Sequence, residues 1–298
     1  MKSFILTTAF IVAASATVSA KTNTTKVLAN GYPYTQVPFT SVNLAHNSFW
    51  GARLQAAREV TVPLAFSKCE SEHRYKNFDM AAYTLKHPGH PGLKTPEWDV
   101  AKIMGLSFDD TDVYKTIEGA SYILQTYPDK KLKAYIDSVL NIVAAAQEPD
   151  GYLYTARTIN PEHPHGWSGK KRWEKEEDLS HELYNLGHMV DAACAHYQAT
   201  GSHKFLDIAR RYADCVCREV GSGSGQTTVV PGHQIAEMAL ARLYTLTGEK
   251  RYLDEAKYLL DFRGKTSFRK EYSQSHKPIL EQDEAVGHAV RAGYMYAG

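Results

Sequence analysis

Cysteine is scarce, with four in 298 residues, too few for a disulfide scaffold. Charge of one sign is not in excess. The 34 Lys+Arg balance 33 Asp+Glu, so the electrostatic footprint of a nucleic-acid binder is missing. No charge run forms an acidic tail or basic arm. No apolar stretch reaches the ~20 residues that span a bilayer. Strand-like alternation is nearly absent, and Thr227 to Val230 is the best short candidate. No Gly-rich phosphate loop, no HExxH and no Ser/His/Asp context occurs. Aromatics, by contrast, are plentiful: 11% of residues, with 19 Tyr, a composition that excludes disorder.

The first twenty residues read as a secretory signal peptide. Met1-Lys2-Ser3 carries one positive charge, an apolar run follows from Phe4 to Ala14, and Val18-Ser19-Ala20 offers a small-x-small cleavage site. The mature chain is then expected to begin at Lys21 and to be secreted or periplasmic, with no membrane association after cleavage. The remaining portion is residues 21–298.

That portion is patterned as helices in pairs. Apolar residues recur with a 3.6-residue period from Asp112, Lys131, His181, His203, His233 and Arg251. An early helix is expected from Ala52 to Cys69, and a last one opening at Ala285. Tyr197, Gly201, Phe205-Leu206 and Ala209 recur 47 positions later as Tyr244, Gly248, Tyr252-Leu253 and Ala256. A Thr-Gly pair closes a helix in each copy. Such a period signals an array of helix pairs, an open solenoid or a closed α/α toroid. The aperiodic stretch from Thr155 to Asp178 favours the toroid, because structureless loops of this length are often functional. The expected fold is therefore all-α: an α/α toroid, incomplete in this chain.

Polar chemistry concentrates on the helix from His181. His181, Tyr184 and His188 fall on one face, with Leu183, Leu186 and Val190 roughly opposite. That division suits the inner wall of a toroid, although any one of these residues could equally be an ordinary satisfied one. Gly187-His188, Gly232-His233 and Gly287-His288 each fall on a first-of-pair helix. Helix N-termini gathered at one end would collect N–H donors. Neutral imidazoles there both donate and accept, which fits sugar hydroxyls better than a phosphate. Trp98, Trp167 and Trp173 could serve sugar faces. Among the carboxylates, Asp110 or Asp112 reads as a helix N-cap and Glu182 as a helix-flank residue. Cys215 and Cys217 point to different sides of a helix, so Cys69, Cys194, Cys215 and Cys217 read as buried, inert thiols.

Further motifs run along the mature chain. They include Phe49-Trp50 with Arg53, Cys69-Glu70 with Asn77-Phe78, and Asp112-Val113-Tyr114-Lys115 with Glu118. Gln147 precedes Pro149-Asp150-Gly151-Tyr152-Leu153, and His181-Glu182-Leu183-Tyr184 precedes Gly187-His188. Gly232-His233, Tyr272-Ser273-Gln274-Ser275-His276, Gln282 and Gly287-His288-Ala289-Val290-Arg291-Ala292 complete the series. The series resembles glycoside hydrolase family 127.

The resemblance implies an (α/α)6 barrel followed by β-sandwich domains, and a retaining, exo-acting β-L-arabinofuranosidase working on plant glycans. It implies a cysteine thiolate nucleophile beside a zinc ion held by cysteines and a glutamate, with a separate glutamate as general acid. Zinc keeps such a thiol deprotonated. His181, His233 and His288, joined by His188 and Tyr184, are the expected substrate-binding residues for an arabinose-containing glycan. In the family the nucleophile, zinc ligands and general acid lie downstream of the Gly-His-Ala-Val-Arg-Ala segment. They are therefore expected beyond Gly298, so that the resemblance makes residues 21–298 the N-terminal portion of an α/α-barrel catalytic domain, with no metal or cofactor in this chain and little hydrolysis by it alone. Two other readings remain at this stage: a non-catalytic glycan-binding remnant, and a self-sufficient toroid enzyme such as a sugar epimerase or unsaturated-glycan hydrolase.

Overall fold

The computed structural model of the protein describes residues 36–89, 94–95, 98–99 and 105–298. The signal-peptide segment and the side chain of Trp98 lie outside the described residues. The chain enters through α1 (Phe49–Ala56), a π-helical turn (Ala57–Thr61) and α2 (Val62–Ser71), which run on without a break. His73, in a left-handed conformation (φ 62°), separates this rod from α3 (Arg74–Lys86). No sequence signal had marked α3. A two-residue strand pair follows, β1 (Lys94–Thr95) antiparallel to β2 (Trp98–Asp99). Next come α4 (Asp110–Thr126), α5 (Lys130–Ala145), the single turn α6 (Thr155–Thr158), α7 (Glu182–Thr200) and α8 (Lys204–Glu219). The chain then forms α9 (Ala236–Thr247), α10 (Lys250–Phe262) and α11 (Ala289–Ala297). The last helix opens four residues later than the periodicity suggested, because His288, not a residue near Ala285, provides the cap. Thr227 makes an isolated bridge with Val220 rather than a strand.

Residues Val37–Gly298 form one compact unit arranged in two layers. The inner layer is α2, α4, α7, α9 and α11, each packed on the next. The outer layer is α3, α5, α8 and α10, and each inner helix also packs on the outer helix that follows it. This is an incomplete α/α toroid. The layers differ in amphipathicity, as their positions require. Outer α8 buries only Phe205, Leu206, Ile208, Ala209, Tyr212, Ala213, Cys215 and Val216 along one stripe. Inner α7 is buried from Glu182 to His196 at every position but Tyr184. Full burial of a side chain such as Phe205 or Ile117 contributes about 1.5–3 kcal/mol. The 47-residue repeat is real: Gly201 (φ 70°) and Gly248 (φ 75°) end α7 and α9 with N–H bonds to Tyr197 and Tyr244. A left-handed C-cap suits glycine at both. Among the described residues no helix is long and apolar enough to cross a membrane.

Candidate functional site

The turns that start α7, α9 and α11 carry the site. His181 is the N-cap of α7, in a left-handed conformation (φ 64°). His233 stands three residues before α9, and His288 caps α11. Their rings form a row, His181 to His233 at 6.0 Å and His233 to His288 at 5.7 Å between centroids. Tyr184, one turn into α7, lies 5.5 Å from His181 and 4.5 Å from His233. His188 lies a turn deeper, 4.5 Å from Tyr184 and 5.8 Å from Tyr294. The structure thus brings together all five residues singled out from the sequence. His181 and His188 are both buried, and His188 differs from the others in having its Nε2 buried without a partner.

Backbone contacts set the tautomers. His181 Nδ1 faces the carbonyl of Leu179 at 2.5 Å, and His233 Nδ1 faces that of Gln234 at 2.9 Å. A carbonyl only accepts, so both rings carry their proton on Nδ1 and keep a lone pair on Nε2. His288 is the reverse. Its Nδ1 accepts the Arg291 N–H at 3.4 Å, which leaves the proton on Nε2. Burial disfavours imidazolium: it lowers His181 to about 4, His233 to about 3 and His188 to about 2. His181 and His233 are thereby held uncharged, and the row offers two Nε2 acceptors and the Nε2–H donor of His288.

A cavity of about 360 Å³ opens beside this row. Phe108, Trp167, Phe268 and Tyr272 line it together with His181, His288 and Arg291. Lys270 and Asp178 pair at 3.2 Å, both half exposed. Arg291 donates to the Gly232 carbonyl at 2.7 Å and lies 4.6 Å over the Tyr272 ring. It thereby ties the α11 cap to the His233 turn. Gly232 itself donates to the Glu176 carbonyl at 3.0 Å, and a Cβ there would come within 2.6 Å of that oxygen. Lys115 donates to the Tyr184 hydroxyl at 2.8 Å and to Thr111 Oγ1 at 3.1 Å. Phe108 carried no sequence signal. Lys115 and Arg291 sat in quoted motifs, but neither spacing nor charge gave them a role.

Other expectations are corrected. Neither Asp110 nor Asp112 caps α4, whose N-cap position is Asp109. Asp110 is buried and accepts both N–H and hydroxyl of Thr155, at 2.9 and 2.6 Å. It tethers α6, and burial raises its carboxyl to about 7 despite those bonds. Asp112 instead pairs with Arg74 at 2.9 Å. Glu182 is not on a helix flank but fully buried at the first position of α7. Cys69, Cys194, Cys215 and Cys217 are all free, and burial raises each thiol.

The zinc implied by the resemblance finds no fitting donor set among the described residues. Only Asp150, Cys215 and Glu219 converge there. The Arg172 guanidinium already bonds Asp150 and Glu219 at 2.6 Å each, and a fixed cation on those oxygens opposes a second one.

Comparison with known proteins fits this geometry. The family model for the β-L-arabinofuranosidase GH127 catalytic domain matches residues 41–298. A non-reducing end β-L-arabinofuranosidase of Bifidobacterium longum subsp. longum is 37% identical over 215 residues, 65% of this chain and 32% of that protein. A solved GH127 β-arabinofuranosidase is 66% identical, with a TM-score of 0.81 over 89% of this chain and 40% of its own. The GH127 β-L-arabinofuranosidase of Geobacillus stearothermophilus T6 is 35% identical, with a TM-score of 0.74 over 86% of this chain and 41% of its own. The chain thus spans about a third to two fifths of the length of these relatives. By the match over 41–298, and by its likeness to solved GH127 structures, the chain belongs to the GH127 β-L-arabinofuranosidase family.

Proposed function

We propose that this chain supplies the sugar-recognition wall of a secreted or periplasmic glycoside hydrolase, a retaining, exo-acting β-L-arabinofuranosidase. Its ligand is a terminal arabinofuranosyl unit of a glycan. The observation that carries the reading is the row His181–His233–His288, with two Nε2 acceptors and one Nε2–H donor, whose two end members line an aromatic-walled cavity. Sugar hydroxyls each donate and accept, so a mixed uncharged set matches them. Phe108, Trp167 and Tyr272 offer apolar surface to the C–H faces of a ring.

In this reading His181 and His233 accept sugar hydroxyl protons and His288 donates to a sugar oxygen. Tyr184, held by Lys115, packs beneath. The zinc and thiolate chemistry implied by the resemblance belongs to residues other than the four cysteines described. The contribution of this segment is binding and orientation.

Calorimetric titration with L-arabinose tests the proposal. Binding is expected, with at least a tenfold loss in His233→Ala at unchanged folding. A folded chain that binds neither L-arabinose nor an arabinofuranosyl oligosaccharide refutes it. N-terminal sequencing of the exported protein is expected to begin at Lys21.

A further inference from the structure

Two fully buried carboxyls, Glu176 and Glu182, meet behind His181. All their hydrogen-bond partners are neutral. Glu176 accepts the N–H groups of Glu182 and Leu183 at 2.7 and 3.2 Å, the first free amides of α7. Glu182 accepts the Tyr152 hydroxyl at 2.6 Å and the Trp173 N–H at 3.0 and 3.1 Å. Between them stands Ser180, whose Oγ lies 2.8 Å from Glu176 Oε2 and 2.8 Å from Glu182 Oε2.

The proton count does not close with two anions. A serine hydroxyl has one proton to donate. With both carboxyls ionised, one of the two 2.8 Å contacts would set lone pair against lone pair. One added proton resolves both: one carboxyl donates to Ser180 Oγ, and Ser180 donates to the other. We infer that Glu176 and Glu182 share a single proton through Ser180, and that this protonated dyad is the device that positions His181.

The surroundings agree. Tyr152 and Tyr154 face the pair from the segment before α6, Tyr212 from α8, and Asp110 from α4 by way of Tyr154. The cation acting on Glu182 is Arg157, whose Nη2 bonds the Lys170 carbonyl at 3.2 Å. From the α9 side, the Gly232 N–H bonds the Glu176 backbone carbonyl at 3.0 Å. Burial raises both carboxyls, and the charge of Glu182 further raises Glu176.

The link to His181 is geometric. His181 lies between Ser180 and Glu182 and holds φ at 64°. A non-glycine residue keeps that conformation only when its neighbours over-determine it. Here the Ser180 carbonyl accepts from the Tyr154 hydroxyl, and the Glu182 carbonyl accepts from Tyr212 at 3.1 Å. The dyad fixes the side chains on both flanks. Loss of the shared proton would place two adjacent anions in a dry site and open the turn. This consequence for ligand binding rests on the sugar-recognition reading; the shared proton does not.

The test compares the whole chain with Glu182→Gln, whose amide N–H replaces the shared proton. Folding of the wild type takes up a proton that the unfolded carboxyls, ionised above about pH 4.3, do not hold. The dyad therefore stabilises fully at low pH, and its contribution falls as pH rises toward the raised folded value. Above about pH 5, and up to the raised folded value, the unfolding constant in urea is expected to rise by up to about tenfold more per pH unit in the wild type than in the variant. Equal slopes overturn the shared proton.

Should Glu182→Gln not fold, infrared spectra of the wild type and Ser180→Ala decide. A neutral-carboxyl C=O band at neutral pH that shifts when Ser180 is removed supports the dyad, and the absence of such a band overturns it. For positioning, the readout is the pH profile of L-arabinose affinity. An alkaline fall in the wild type that is absent from Glu182→Gln supports the role, and a fall shared by both overturns it. Sugar failing to bind either protein sinks the recognition reading and leaves the proton result standing.

Discussion

His288 accepts the Arg291 backbone N–H at its own Nδ1, 3.4 Å away, so one ring both caps α11 and presents an Nε2–H at the cavity. The two duties separate by substitution. In His288→Asn the side-chain oxygen still caps the helix, but the ring donor is lost. In His288→Ala both go. The Ala variant is expected to lose about 1 kcal/mol of stability, the Asn variant only a few tenths. Both are expected to lose affinity for L-arabinose by about the factor of 10 that one neutral hydrogen bond supplies. Urea denaturation and titration calorimetry on the pair check this. Equal stability loss in the two variants would refute the capping role.

His181 and His233 stay uncharged under most conditions. Burial lowers them to about 4 and about 3, below the ~6.5 of an unfolded histidine. A depressed histidine stabilises the fold fully above the unfolded value, and that contribution is lost as pH falls through the folded one. L-arabinose affinity is therefore expected to stay level from about pH 7 down to about pH 5 and to fall only near pH 4. An affinity that halves between pH 7 and pH 6 in His288→Asn, where the third ring is absent, would mean that His181 or His233 titrates near the ordinary value.

Much of this was legible in the sequence, and the limits have physical causes. The helices from Asp112 to Arg251 were visible because each buries one stripe, and the period of that stripe survives in the order of residues. Helix α3 was not. Its buried set, Asn77, Phe78, Met80, Ala81, Ala82 and Thr84, mixes polar and apolar residues, because Thr84 bonds the Ile159 carbonyl. In the histidine row, His233 and His288 were legible through Gly-His pairs, since Gly232 allows the His233 turn to touch the Glu176 segment, and His181 through the helix face it shares with Tyr184 and His188. Asp110 and Glu182 were misplaced for a common reason. An acidic residue at a helix start normally reads as a cap or a solvated flank. Here each is buried by partners far along the chain, Thr155 and Tyr152, and no local pattern encodes those contacts.

Arg172 holds the long loop to the outer layer. Its guanidinium bonds Glu148 at 2.7 Å, Asp150 at 2.6 Å and Glu219 at 2.6 Å, and lies 4.1 Å over the Tyr152 ring. Glu219 also accepts from the Trp173 indole at 2.9 Å. Arg172→Met keeps the bulk but leaves three carboxylates facing one another. A loss of about 2–4 kcal/mol is expected at neutral pH, toward the low end because Asp150 is partly exposed. The defect is expected to shrink as pH falls toward 4 and the freed carboxylates protonate. Urea denaturation at the two pH values checks both size and sign.

His196 offers the opposite case, a polar side chain that the fold would do better without. It lies on α7, fully buried, with both ring nitrogens unpartnered and its ring 6.3 Å from Phe205. Burial lowers it to about 4. A buried polar group without partners is destabilising by about 1–3 kcal/mol, and leucine fills nearly the same volume. His196→Leu is therefore expected to stabilise the chain by about 1–2 kcal/mol at pH 7. The gain is expected to grow below about pH 6.5, where the unfolded wild type binds a proton that its folded state refuses, by up to about 1.4 kcal/mol per pH unit. Denaturation of both proteins at pH 7 and pH 5 checks this, since a variant less stable than the wild type at both would show that the ring has partners in solution.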